Sequence, residues 1–70
     1  MKVSDLSVGL TLISSDWLIV TLLEKLHTGM WLCLIVADFY LDGCGDESCG
    51  YTTPITFRRD TVEDEGWRVL

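Results

Sequence analysis

Basic residues, histidine and proline are all scarce in this chain. Five Lys/Arg stand against eleven Asp/Glu, giving a formal charge of −6. Repulsion from phosphate makes direct nucleic-acid binding unexpected, because such binding rests on a basic patch. His27 is the only histidine, so any Ser-His-Asp or Cys-His scheme would need it as the base, and no nucleophile signature lies near it. Adjacent carboxylates occur at Asp46/Glu47 and Glu63/Asp64, but on polar loops nothing drives their pKa values apart for acid–base work. The segment GCGDESCG lacks the lysine of a phosphate loop and carries two acids where the anion would sit. The composition predicts a protein that is not an enzyme and has no cofactor. One proline and 49% apolar residues also exclude intrinsic disorder.

Seventy residues make one small domain, 1–70, too short for a two-domain enzyme or an eight-fold α/β barrel. A chain of this size buries only about 60% of its unfolded surface. Asp5 interrupts the N-terminal segment before any apolar run, so no signal peptide is expected. The stretch from Trp17 to Leu41 has the length of a membrane span. Its centre reads Glu24-Lys25-Leu26-His27-Thr28-Gly29, and each ionised group there would cost about 2.5–3.5 kcal/mol; no membrane partner is expected. Cys33, Cys44 and Cys49 are an odd count, which argues for reduced thiols in a cytoplasmic setting over a disulfide framework. Cys44 and Cys49 could begin a small metal-binding domain, with Cys33 and His27 the only further soft ligands, but no paired spacing supports it and no metal residue is assigned.

What the chain does have is apolar blocks of five to eight residues, rich in Val, Ile, Thr and Trp, between turn residues. These predict strands over 10–13, 17–23, 30–37, 52–59 and 67–70. Glu24 to Gly29 reads as the loop of a hairpin, with Gly29 at positive φ. Pro54 belongs at a strand start or on a sheet edge, and a short helical turn is expected near 60–65. The fold class is therefore all-β, a small five-stranded barrel or a strongly curved antiparallel sheet. The opening Asp5-Leu6-x-Val8-Gly9-x-x-Leu12, the strand led by Trp17, the hairpin after it and the closing Trp67-x-Val69-Leu70 together resemble the general layout of SH3-like barrels. That likeness implies a fold and no function.

Both parities of the hairpin 17–37 are apolar. A half-buried antiparallel strand should alternate, so one face is left to cover. Leaving three or four Leu/Val side chains in water would forfeit about 1.5–3 kcal/mol each. Association is expected, as a homodimer or larger assembly through Leu18, Val20, Leu22, Leu32, Leu34 and Val36. A wrapped barrel that uses both faces internally is the alternative.

Charge is also unevenly placed. Residues 1–35 carry a net of −1 and residues 36–70 a net of −5, gathered at Asp42/Asp46/Glu47 and Asp60/Glu63/Asp64/Glu65. Tyr40 and Tyr51 flank the first run, and tyrosine is enriched at interfaces. A negative face of this kind steers basic partners toward it. The function expected is a protein-binding module, for example an inhibitor of a basic, nucleic-acid-binding surface, in the manner of small acidic effectors encoded by phages. A structural subunit assembling through the hairpin is the second reading. Arg58 and Arg59, the only basic pair, are expected to pair with Asp60 or Glu63.

Overall fold

The computed structural model describes residues 1–38 and 50–70. Five strands, β1 (Thr11–Ser14), β2 (Leu18–His27), β3 (Met30–Asp38), β4 (Thr52–Thr56) and β5 (Trp67–Val69), follow a short 3-10 turn at Val3–Asp5. They form one antiparallel sheet in the order β4-β3-β2-β1-β5. Among the described residues β4 and β5 do not pair with each other, so the sheet is not closed into a barrel. Pro54 lies in β4, an edge strand, where the missing N–H costs no ladder bond on the outer side. No helix among the described residues is long and apolar enough to cross a membrane.

The register sorts the side chains into two faces. Leu12 pairs with Val20, Val20 with Ile35, Leu22 with Cys33, and Trp31 with Ile55. These positions form the inner face, where Leu12, Val20, Leu22 and Cys33 are fully buried. Loop segments cover that face, contributing buried Leu6, Phe57 and Val62. The N-terminal segment lies along residues 60–62, joined by Val3 N–H to Asp60 O (2.8 Å) and Val62 N–H to Met1 O (3.0 Å). Ile13, Ile19, Thr21, Leu32 and Leu34 stand on the outer face, where the Thr11 and Thr21 hydroxyls meet at 3.0 Å.

The six residues expected to form one association surface are therefore divided. Leu18, Val20 and Leu22 face inward, Leu32 and Leu34 face outward, and exposed Val36 sits at an irregularity of the β2–β3 ladder. The physical reason is the pairing itself: Val20 stands opposite Ile35 and Leu22 opposite Cys33, so even-numbered residues of β2 share the inner face with odd-numbered residues of β3. Val36 is set apart by the shift at Ile19/Val20, where Ile35 and Ala37 oppose consecutive residues of β2.

Two boundaries also differ from the sequence reading. Glu24–His27 continues β2 instead of forming a loop. Lys25 pairs with Trp31, Glu24 with Leu32, and the end of the hairpin is exposed enough to keep both charges hydrated. The connection shrinks to Thr28-Gly29. Trp17 leads no strand but belongs to the turn before β2. The expected helical turn is present as a turn over 62–66, with Glu65 N–H bonded to Val62 O (3.1 Å) and Gly66 N–H to Glu63 O (3.0 Å).

Gly29 holds the hairpin tip against the cover. Its φ is +75°, its carbonyl accepts the Phe57 N–H at 2.6 Å, and an added Cβ would lie 2.6 Å from the Phe57 carbonyl oxygen. Gly29→Ala is expected to lower stability by at least about 1–2 kcal/mol from the left-handed backbone alone, with a further loss as Phe57 is pushed from the core. The midpoint of urea unfolding measures it, against Gly9→Ala, where a Cβ meets nothing within 4 Å.

Candidate functional site

The turn between β1 and β2 is built around the Ser14 hydroxyl, which accepts the N–H groups of Asp16 (3.2 Å) and Leu18 (3.1 Å). Trp17 N–H returns to Ser14 O (3.1 Å), and Ser15 N–H is tied to Gly66 O (3.0 Å). Within this frame Trp17 takes a φ of +65°, and it is the one non-glycine residue with positive φ among those described. Such a backbone costs about 1–2 kcal/mol for an L-residue. The outcome is an indole that is 59% exposed.

Two adjoining shallow clefts, of about 480 and 430 Å³, meet at Ser14, Ser15, Gly66 and Trp67. Asp16, Asp38 and Glu65 contribute to the first, Trp17, Glu63 and Arg68 to the second. Four carboxylates thus face one guanidinium. The wall is fixed by Trp67, whose ring meets Phe57 edge-on at 6.4 Å. This arrangement sets an exposed aromatic side chain within a mostly acidic surround.

The acids expected from the sequence to act together have different roles. Glu65 Oε1 accepts the backbone N–H groups of Arg58 (2.6 Å) and Arg59 (2.8 Å), so it closes the loop after β4. The Glu63 carboxylate pairs with the amino group of Met1, and that hydrogen bond holds it below the usual carboxylate range. The side chains of Asp60 and Asp64 are exposed; Asp60 contributes its carbonyl to Val3, and Asp64 its N–H to Thr61 Oγ1 (3.2 Å). Arg58 and Arg59, expected to pair with Asp60 or Glu63, form no ion pair among the described residues. Tyr51 is exposed beside β4, at the opposite sheet edge from β5. The sheet does not bring it to the 60–65 turn. Tyr40, Asp42, Asp46 and Glu47 lie outside the described residues, as do Cys44 and Cys49.

Cys33 is buried, its Sγ directed to Trp31 O at 3.6 Å, and burial pushes its thiol up to about 11. It therefore supplies no thiolate near neutral pH. Among the described residues no three His, Cys, Asp or Glu side chains come together as a metal site. Trp17, Asp16 and Asp38 are the site residues that sequence reasoning missed. The Ser14-Ser15-Asp16 turn chemistry marks the place, but no sequence signal marks the left-handed backbone at Trp17.

Glu65→Ala is expected to cost about 1 kcal/mol, because it removes a charged acceptor from two backbone donors at a partly exposed site. Asp64→Ala should stay within about 0.5 kcal/mol; paired urea unfolding curves make the comparison. No protein-family model, curated protein or solved structure matches the chain.

Proposed function

We propose that the chain is a non-enzymatic protein-binding module that sets its acidic, tryptophan-bearing end on a basic surface of a partner. One observation carries the reading: a strained backbone holds Trp17 out in water, beside clefts whose charged side chains are four carboxylates and one guanidinium. Exposed tryptophan is a frequent energetic centre of interfaces, and surrounding charge of one sign sets encounter rate and choice of partner. Blocking a basic nucleic-acid-binding site is the form of activity we favour, in a cytoplasmic setting. The return of β5 to β1 supports an opened SH3-like layout as the closer description of the fold.

The test uses the partner recovered on the immobilised chain. Its retention should fall steeply from low to high salt, and Asp16→Lys should weaken it at least about ten-fold. Asp16 is chosen because it lines the cleft beside Trp17, whereas Glu63 and Glu65 have internal bonds. Trp17→Ala should weaken the complex by about 30-fold, the loss typical of an anchor residue. Salt-insensitive retention, untouched by these changes, overturns the reading.

A second reading rests on the outer face. Ile19, Leu32 and Leu34 are half-buried there, and Val36 is exposed near the Ile19 end of the ladder. A structural subunit that associates, as a homodimer or more, through this face is consistent with that content. Light scattering should then give more than one chain per particle, and Leu34→Lys should return it to a monomer with an unchanged circular dichroism spectrum. A monomer at high concentration before any substitution removes this reading.

A further inference from the structure

Four of the five Lys/Arg in the chain line a single cleft of about 520 Å³: Lys2, Lys25, Arg58 and Arg59. They come from three separate segments, the N-terminal segment, β2 and the loop after β4. Their positions are held by backbone bonds already described. Lys2 lies in a bridge with Thr61, Gly29 O accepts Phe57 N–H at the hairpin tip, and Glu65 accepts the N–H groups of both arginines.

None of the four cations has an ion pair among the described residues. Asp60 is the single carboxylate lining the cleft. Glu24, the sequence neighbour of Lys25, is placed on the opposite face by its pairing with Leu32. Glu65 keeps its charge, but its Oε1 sits on the backbone N–H groups of the arginines and its side chain does not line the cleft. In a chain with eleven carboxylates, four cations gathered around one acid repel each other, and a bound anion removes that cost.

The chemistry selects the anion further. Paired guanidiniums present planar forks that match phosphate oxygens in bidentate fashion, and the ammonium groups add point charges. The volume falls in the range of small-ligand sites. The negative surface elsewhere would repel the flanking phosphates of a long strand. We propose that this cleft binds a small oligophosphate, an anion bearing two or more linked phosphate groups.

Titration of the full chain with inorganic pyrophosphate, followed by amide NMR, tests this. Saturable shifts are expected at Lys25, Thr28, Gly29, Arg58 and Arg59. Arg58→Gln with Arg59→Gln should weaken binding at least about ten-fold, the loss expected when charge-assisted hydrogen bonds are removed. Arg68→Gln, which changes the one base outside the cleft, should alter it less than about two-fold by the same reasoning. Shifts that do not saturate, that sodium chloride at equal ionic strength reproduces, or that Arg68→Gln weakens equally would overturn the proposal. So would binding of a thymidine dodecamer without binding of pyrophosphate, which would assign the cleft to a nucleic-acid strand. The spectra of the variants report their folding directly.

Discussion

A single sheet whose two edges do not meet keeps water from a face only where some other part of the chain lies over it. Here the cover is loop. Leu12, Val20, Leu22, Cys33 and Ile35 are at most 1% exposed, and among the described residues the loop segments over them contribute three buried side chains, Leu6, Phe57 and Val62, with Val3 and Leu10 partly buried against them. So few apolar groups cannot fix a loop's path by hydrophobic burial alone, which has no direction. Directional bonds supply the rest: Gly29 O to Phe57 N–H, Asp60 O to Val3 N–H, and the Glu65 carboxylate to two arginine N–H groups.

Both surfaces with chemistry arise from these fastenings. The segment from Phe57 to Trp67 crosses the inner face and ends by pairing with β1. Its beginning, Arg58 and Arg59, borders the basic cleft. Its end, Glu63 to Trp67, borders the acidic clefts beside Trp17. Glu65 belongs to both ends at once, because it lines an acidic cleft and grips the backbone of the two arginines. Its charge therefore serves stability first. That separates it from Asp60 and Asp64, whose carboxylates are exposed.

Much of the fold is legible in the sequence because turn chemistry and β-branched blocks are local signals. Gly29, Pro54 and the run after Thr61 mark a hairpin tip, an edge strand and a turn, and they occupy those places. Facing is less legible. A period of two sorts each strand into two sets of side chains, but which set of β2 shares a face with which set of β3 depends on the pairing, a long-range fact. Val20 opposite Ile35 and Leu22 opposite Cys33 place Leu18, Val20 and Leu22 toward the core, away from Leu32 and Leu34. Trp17 reads as a strand residue because an aromatic favours strands. The Ser14 hydroxyl and the tie from Ser15 to Gly66 impose the turn instead, and the tie exists only once β5 has returned to β1.

The basic cleft is hidden for a related reason. Lys2, Lys25, Arg58 and Arg59 are scattered along a chain of net charge −6, and a net charge describes only the field at a distance. Beyond a Debye length, about 8–10 Å near physiological salt, the acidic excess governs what approaches. Within the cleft the nearest charges govern, and four cations against Asp60 leave these positive. The two scales need not agree in sign. A large polyanion must satisfy both, because its flanking charges extend past the cleft into the negative field; a small one meets only the local cations once it has arrived. At the other end of the molecule the two scales agree for the basic partner we propose: the acidic excess acts at long range, and Asp16 and its neighbours around Trp17 act at contact. Fields that reinforce one another suit a macromolecular partner, and fields that oppose suit a small ligand that the local geometry alone retains.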